Sequence, residues 1–264
     1  MVISGKKLAW EIEEKLRSQV QAATEKLGRR PKLVTIVDPG NLASMTYTNL
    51  KAKMAERLGV EFLIYNPSAG RAGFQFTNNS QIIKFINDLN ADASVDGIMV
   101  QVPYLNSNFL INLINSKKDV DGLREDSPFT PAVVRAVLTI LNSQTPNPSN
   151  IMIVGSRGFV GRKLLKNLPG AVGMDREDFN PEKLKIADVI ISCTGQAGLI
   201  KPEMVKEGVF AIDVGYPKGD FDSEVEKKAA FFTPVPGGVG PVTVVMLFVN
   251  LLYAVDLGLE LGGK

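Results

Sequence analysis

Short apolar runs that alternate with helical patterns most constrain how this chain can fold. Three such runs occupy Lys32–Val37, Val60–Tyr65 and Val95–Val102. The third is almost continuously apolar, which is typical of a strand covered on both faces of a parallel sheet. Helical patterns at residues 44–58 and 79–90 separate the runs. The chain is therefore predicted to form a βαβαβ unit over residues 32–102.

The same alternation resumes after a break at residues 145–150, which are rich in Pro and Asn. Further helices are predicted at residues 7–27 and 131–142, and from Pro241 to the end of the chain. The remaining predicted elements are strands at Ile151–Val154, Asp188–Thr194, Phe210–Val214 and Phe231–Pro234, and a helix at Phe159–Leu168. We therefore predict two α/β domains with a cleft between them, the second a Rossmann-like parallel-sheet domain that binds a nucleotide.

Composition excludes several kinds of chemistry. The 264 residues include one cysteine and no histidine. This excludes an internal disulfide, Ser-His-Asp and Cys-His catalysis, and histidine-ligated zinc. A net charge of +2 gives no basic field for nucleic acid. The most apolar run, Val242–Val255, is shorter than a membrane span of about 20 residues. Residues 1–9 lack the continuous apolar stretch of a secretory signal, so we expect no targeting segment. We expect a cytoplasmic protein without metal, nucleic-acid or membrane partners.

The helix predicted at residues 44–58, capped by Ser44, carries a lysine among apolar residues. The helical spacing predicts one face made of Tyr47, Leu50, Lys51, Met54 and Leu58. A lysine removed from water has a lowered pKa and can transfer protons, and the tyrosine ring could stack on a ring substrate. The alternative is a lysine whose stem packs on apolar surface while its ammonium reaches water. Gln101 ends the third strand, where ligands of open α/β sheets bind.

Two glycine-containing segments follow strands of the second domain. Gly155-Ser156-Arg157 joins a strand to a helix, which is the context of a phosphate-binding turn, although a purely structural turn would look the same. Asp175 lies where a carboxylate would bind the ribose of NAD, whereas Arg176 beside it could bind a 2′-phosphate. This choice stays open. The second segment, Thr233–Pro241, has a density of glycine that lets the backbone approach a ligand.

These motifs together resemble the bifunctional methylenetetrahydrofolate dehydrogenase/methenyltetrahydrofolate cyclohydrolase family over essentially the whole chain. The strongest matches are Ala43–Lys51, Asp96–Pro103, Lys118–Gly122, Ile212–Gly215 and Thr233–Thr243. The resemblance implies that Lys51 is the catalytic lysine, hydrogen-bonded by Gln101, and that Tyr47 stacks on the folate while Asp121 anchors the pterin. It further implies folate contacts at Val100, Val102, Pro236, Gly237 and Gly238. The implied contacts of the nicotinamide cofactor are Gly155, Ser156, Arg157, Arg176, Thr194, Gly215 and Tyr216.

The resemblance implies oxidation of 5,10-methylenetetrahydrofolate and hydrolysis of the methenyl product to 10-formyltetrahydrofolate, by a homodimer that uses NADP, with NAD as the alternative. Its folate-binding catalytic domain would comprise residues 1–122 and 242–264, and its dinucleotide-binding domain residues 123–241. The cofactor half departs from the family pattern, because Ser156 and Arg157 stand in reversed order and the segment 170–177 is short. Two alternatives follow: a cyclohydrolase without the redox step, and a folate- or nucleotide-binding protein without turnover.

Overall fold

The computed structural model describes residue 2 and residues 4–65, 79–144 and 149–262. Its helices are α1 Gly5–Leu27, α2 Leu42–Leu58, α3 Asn79–Ala91, α4 Ser107–Leu113, α5 Ala132–Gln144, α6 Phe159–Asn167, α7 Pro181–Leu184, α8 Val225–Lys228 and α9 Val239–Gly262. Its strands are β1 Lys32–Ile36, β2 Glu61–Tyr65, β3 Gly97–Val100, β4 Ile151–Val154, β5 Val172–Met174, β6 Val189–Ser192, β7 Phe210–Asp213 and β8 Phe231–Phe232. Most of the predicted break lies outside the described residues, at 145–148.

The chain divides into two compact units. The folate unit, named here for the implied substrate, comprises Glu11–Ala132 and Val244–Lys264. The nucleotide unit comprises Met1–Trp10 and Val133–Thr243. The first residues join the nucleotide unit because Val2 forms a parallel bridge with Phe232. The two compact units meet along the chain at 132/133, ten residues after the predicted domain boundary at 122/123, and the Ala132 backbone N–H donates to the Asp121 carbonyl at 3.2 Å.

A three-stranded parallel sheet in the order β2-β1-β3 forms the centre of the folate unit. This is the predicted βαβαβ arrangement. One face of the sheet contributes Val34, Ile36, Ile98 and Val100 to a buried cluster that also contains residues of α3 and α4. Thr35 pairs with Met99 in the register of β1 and β3, so both side chains lie on the opposite face. This second face is the one that contacts α2, as the site geometry below shows.

Helix α2 begins two residues before the predicted cap. Asn41, not Ser44, is the N-cap, and its side-chain oxygen accepts a hydrogen bond from the Ser44 backbone N–H at 2.9 Å. Gly59 ends the helix in the left-handed conformation, with φ +79°. The last helix similarly begins at Val239 rather than Pro241. Its stretch Val239–Asp256 is long and apolar enough to cross a membrane, but 67% of it is buried inside the protein, as in a core helix.

The nucleotide unit contains a five-stranded parallel sheet in the order β5-β4-β6-β7-β8. The chain moves from β4 outward to β5 and then returns to the other side of β4 to form β6. Strand order therefore reverses between β4 and β6, and such a reversal opens a crevice at the carboxyl ends of the two strands. The residues that follow these ends are Gly155 and Cys193. The architecture is thus two α/β domains, the second Rossmann-like, as predicted.

Candidate active site and nucleotide pocket

The lysine of α2 lies inside the folate unit, with only 6% of its surface exposed. Its Nζ donates to Oε1 of Gln101 at 2.8 Å and lies 3.6 Å from Sδ of Met99. The ammonium therefore does not reach water, so the snorkelling alternative is wrong. Lys53, two residues further along the helix, is exposed.

The buried face of α2 differs from the predicted stripe. It is formed by Ser44, Thr48, Lys51, Met54, Ala55 and Leu58. Leu50 is 49% exposed and Tyr47 is only half-buried, so neither belongs to it. Residues three and four apart share a helix face, whereas Leu50 is rotated by about 100° from Lys51. Tyr47 therefore lies at the edge of the buried face.

Gln101 is oriented by its own hydrogen bonds. Its backbone N–H donates to the Ile36 carbonyl at 2.8 Å, which extends the pairing of β3 with β1 by one residue. Its side-chain Nε2 donates to the Val102 carbonyl at 3.0 Å. Because the amide nitrogen is held in this way, the amide oxygen is directed toward Nζ of Lys51.

Burial dominates the electrostatics around the lysine. Desolvation lowers the pKa of Lys51, and the negative charge of Asp121 partly opposes that shift. Burial likewise raises the pKa of Asp121, and the lysine partly opposes it. The Gln101 oxygen accepts a hydrogen bond but carries no charge that would hold a proton on the amine. An amine in these surroundings loses its proton more readily than one in water, which makes it suited to proton transfer.

A second aspartate in this segment is more deeply buried than Asp121. Asp119 is 1% exposed, and its Oδ2 accepts a hydrogen bond from the Arg124 backbone N–H at 2.8 Å. Burial raises the pKa of Asp119 to about 6, and the nearby Asp121 adds to this shift. The sequence has two aspartates in this turn, Asp119 and Asp121, and does not indicate which of them is buried. The single available signal was the apolar Val120 between them, which is fully buried.

The other residues implied to contact the folate differ in how exposed they are. The side chain of Val100 belongs to the buried cluster, so only its backbone is available to a ligand. Val102 is exposed, and its carbonyl accepts from Gln101 and from the Ser44 hydroxyl at 3.5 Å. In the nucleotide unit, Pro236 is exposed, Gly237 has φ +113°, and Gly238 packs against Thr233.

The turn after β4 is tight. Gly155 has φ +87°, and a Cβ atom there would lie 2.9 Å from the Cys193 carbonyl oxygen. A Cβ atom on Gly161 would lie 2.2 Å from the Gly155 carbonyl oxygen. Both positions therefore require glycine. Oδ2 of Asp175 accepts hydrogen bonds from the Ser156 hydroxyl, at 3.0 Å, and from the Arg157 backbone N–H.

A pocket of about 280 Å³ opens beside this turn. Of the implied cofactor contacts, Gly155, Arg176 and Thr194 line it, together with Asp175 and Gln196. The guanidinium of Arg157 is instead 62% exposed and pairs with Glu177 at 2.7 Å.

The other implied contacts lie outside the pocket lining. Ser156 is buried beneath the turn, and Gly215 and Tyr216 follow β7. Cys193 contributes to the wall, but burial raises the pKa of its thiol to about 12. This fits its predicted role as a small buried residue rather than a nucleophile.

The pocket fits part of a dinucleotide. Gly158 is the N-cap of α6, so the backbone N–H groups of the first turn are available to an anion at the same end of the sheet. The glycine-only positions bring the backbone close to any phosphate bound there. The β4–β6 crevice thus has the properties of a nucleotide site.

Comparisons with known proteins agree with this geometry. A family model described as tetrahydrofolate dehydrogenase/cyclohydrolase, catalytic domain, matches residues 3–121, and one described as the NAD(P)-binding domain of the same enzymes matches residues 128–258. The bifunctional protein FolD of Listeria innocua is 33% identical over 96% of both chains.

Solved structures show the same likeness. The FolD methylenetetrahydrofolate dehydrogenase/cyclohydrolase of Campylobacter jejuni superposes with a TM-score of 0.87 at 31% identity, covering 97% of this chain and 99% of that one. The FolD enzyme of Trypanosoma brucei, solved with NADP cofactor and an inhibitor, gives a TM-score of 0.85 at 26% identity over 98% of both chains. With both domains matched along nearly its whole length, this chain belongs to the bifunctional methylenetetrahydrofolate dehydrogenase/cyclohydrolase family.

Proposed function

We propose that this chain oxidises 5,10-methylenetetrahydrofolate with NADP and hydrolyses the resulting methenyl compound to 10-formyltetrahydrofolate. The observation that carries the proposal is the buried Lys51 amine, 2.8 Å from the Gln101 oxygen and in the field of Asp121. A protein that only bound folate would gain nothing from a desolvated amine, because burying a lysine costs stability. The NAD(P)-binding family model over residues 128–258 disfavours a cyclohydrolase that lacks the redox step.

Lys51 is assigned to the hydration step. The oxygen of water bonds to the methenyl carbon, and the bond from that carbon to N5 of the folate then breaks. One water proton ends on N5 and the other leaves to solvent. The neutral amine of Lys51, favoured by burial, accepts a proton from the attacking water. Gln101 keeps the amine in place through its oxygen without adding a charge.

Lys51→Met keeps most of the side-chain volume and removes the amine. We expect this variant to hydrolyse the methenyl compound at least about 100-fold more slowly than the wild type, because a positioned acid–base group usually contributes that much to a rate. Lys53→Met is the matched control, because Lys53 is exposed on the same helix. The assay follows the disappearance of methenyltetrahydrofolate absorbance. If Lys51→Met hydrolyses at the rate of the Lys53→Met control, the assigned role is wrong.

Asp121 is assigned to binding of the pterin, whose amino and ring N–H groups can donate to both carboxylate oxygens. Asn offers one acceptor and two donors instead. Asp121→Asn should therefore lower kcat/KM for the folate by at least about tenfold, the equivalent of about 1.4 kcal/mol. Asp126→Asn, in the same loop but exposed, serves as the control. An unchanged kcat/KM would remove Asp121 from the site.

The nicotinamide accepts the hydride when bound, and the nucleotide unit has to orient it. We propose a preference for NADP because Arg176 lines the pocket and the turn beside the pocket carries the exposed guanidinium of Arg157. The carboxylate of Asp175, which could favour NAD, is engaged by its own turn. The NADP complex of the Trypanosoma brucei relative supports the same preference.

Arg157→Ala and Arg176→Ala should weaken NADP much more than NAD, because only NADP carries the 2′-phosphate. Arg30→Ala, an exposed arginine of the folate unit, is the control. Titration of both cofactors decides the matter. Equal losses for NADP and NAD, or tighter binding of NAD by the wild type, would contradict the preference.

We further propose that the protein acts as a cytoplasmic homodimer, as the family resemblance implies. Light scattering after size exclusion gives the oligomeric state directly. A mass of about one chain, 28.6 kDa, would overturn the dimer.

A further inference from the structure

The loop after β6 forms one wall of the nucleotide pocket, with Cys193, Thr194 and Gln196 in the lining. Both hydrogen-bond donors of Thr194, its backbone N–H and its hydroxyl, are bound within the protein. Its backbone N–H donates to Oδ2 of Asp220 at 2.7 Å, and its hydroxyl donates to the same oxygen at 2.8 Å. The position of this wall therefore depends on a residue that the family resemblance did not imply as a contact.

Asp220 is completely buried. A third donor, the hydroxyl of Ser192 at the end of β6, reaches the same Oδ2 at 2.7 Å. One carboxylate oxygen thus joins the last residue of β6 to the loop that follows it. The other oxygen, Oδ1, has no hydrogen-bond partner within the described part of the chain. The three donors on one oxygen, and not the carboxylate as a whole, make the connection.

Asp220 is itself anchored to the end of β7. Oδ1 of Asp213 accepts from the Gly215 backbone N–H at 2.8 Å and from the Asp220 backbone N–H at 3.0 Å. Oδ2 of Asp213 accepts from the Phe221 backbone N–H at 3.1 Å. These bonds fix the loop after β7, so Asp220 is a rigid support rather than a side chain free to follow Thr194.

The hydrogen bond to Asp220 also sets what Thr194 can offer. The hydroxyl has one hydrogen, which it donates to the carboxylate, and it accepts from the Gln196 backbone N–H at 3.1 Å. Toward the pocket it therefore presents an acceptor lone pair only. A ligand group that donates, such as a ribose hydroxyl or a carboxamide NH₂, is complementary to it.

We propose that Asp220 is a positioning residue for the nicotinamide cofactor, which holds Thr194 in place and makes its hydroxyl an acceptor for a donor group of the cofactor. This inference rests on the proposed dehydrogenase function. Without Asp220, the Thr194 hydroxyl can rotate so that its hydrogen points toward the cofactor. Two hydrogen-bond donors then face each other, and the hydrogen bond between Thr194 and the cofactor is lost. The loop after β6 also loses its two hydrogen bonds from Thr194 to Asp220.

The test measures NADPH affinity by fluorescence titration in Asp220→Ala, Asp220→Asn and the control Asp222→Asn. Asp222 lies two residues away and pairs with Lys201 on the surface. We expect Asp220→Ala to raise the Kd of NADPH and the KM of NADP at least about tenfold, which corresponds to about 1.4 kcal/mol, with kcat of the dehydrogenase lowered less. The cyclohydrolase rate, which needs no nicotinamide, should stay unchanged. Asp222→Asn should bind NADPH like the wild type.

Asp220→Asn distinguishes positioning from a purely structural role. Its amide oxygen can replace Oδ2 as acceptor, because Oδ1 makes no bond that the amide nitrogen would break. We therefore expect its Kd to lie within about threefold of wild type, a partial loss for replacing a charged acceptor by a neutral one. If Asp220→Ala does not fold, Thr194→Val removes the hydroxyl through which Asp220 acts and should show the same weakening.

Wild-type affinity in Asp220→Ala or, where that variant does not fold, in Thr194→Val would overturn the inference, as would an Asp220→Asn variant as weak as Asp220→Ala. A wild-type protein that binds neither NADP nor NAD would instead refute the proposed dehydrogenase function itself.

Discussion

Replacing Asp119 by Asn should remove a pH-dependent penalty on the stability of the folate unit. The carboxyl group is 1% exposed, and burial raises its pKa to about 6 from an ordinary value of 3.8. The folded state therefore holds a proton on Asp119 over a pH range in which the unfolded chain has released it. The free energy of unfolding must fall as the pH rises through that range, because the folded state binds more protons than the unfolded one.

The size of the effect follows from the two pKa values. A difference of 2.2 units, from 3.8 to about 6, corresponds to about 3 kcal/mol at 1.36 kcal/mol per unit. The stability is complete below pH 3.8 and is lost as the pH rises through 6. Integration between pH 4.5 and 7 gives a loss of about 2 kcal/mol from this one group. Asn carries no titrating proton, and its amide oxygen can still accept from the Arg124 backbone N–H.

Urea unfolding of wild type and Asp119→Asn at several pH values between 4.5 and 7 measures the effect as a difference between the two curves. The variant should become relatively more stable as the pH rises, by about 2 kcal/mol over the range. Asp126→Asn is the control: Arg124 lowers the pKa of Asp126 from its ordinary 3.8, so this carboxylate is ionised in the folded and unfolded states over the assayed range, and its difference from wild type should stay nearly flat with pH. A wild-type-minus-Asp119→Asn difference that does not change with pH would refute the reasoning.

The other predictions concern residues outside the catalytic groups. Lys118→Met should destabilise the folate unit by about 1–3 kcal/mol in urea unfolding, because Nζ of Lys118 donates to three backbone carbonyls at the end of α3, at 2.7–3.0 Å; a loss under 0.5 kcal/mol would contradict it. Gly5→Ala should lower Tm, since a Cβ atom there would lie 1.7 Å from the Gly238 carbonyl oxygen, and an unchanged Tm would show that the segment adapts. Cys193 should resist iodoacetamide at pH 8 in the folded protein and react after unfolding, because its thiol pKa is about 12; rapid labelling of native protein would refute its burial.

The sequence predicted the parallel sheets because several of their strands are unusually apolar. Each of the strands β3, β4 and β6 has four residues, all of them buried. A strand that is buried on both faces has a continuous run of apolar residues, which can be recognised in the sequence without knowing its neighbours. Strand β5 escaped prediction because it has three residues, one of them glycine, and only Met174 among them is buried. A short strand at the edge of a sheet owes its conformation to its neighbour rather than to its own side chains.

The sequence was enough to identify which residues could carry the chemistry of the site, but not how these residues contact each other. Lysine in an apolar helix and glutamine after a buried strand could be found by inspection, but their 2.8 Å contact depends on how α2 packs on the sheet. The face of α2 was misassigned at Leu50 for the same reason, since a leucine carries no sign of being left in solvent. The buried Asp119 and Asp220 were missed because, in sequence, a buried acid looks like a turn residue.

Charge balance at the nucleotide pocket explains why cofactor preference could not be read from the sequence. Counting charges in the sequence sets Arg157 and Arg176 against Asp175, which favours NADP by only a small margin. The structure divides them unequally. Asp175 satisfies its own turn, whereas Arg157 and Glu177 form an exposed pair. An exposed pair of this kind contributes about 0–1 kcal/mol, less than a bidentate arginine–phosphate contact. A 2′-phosphate could therefore displace Glu177, and the proposed preference for NADP depends on that exchange.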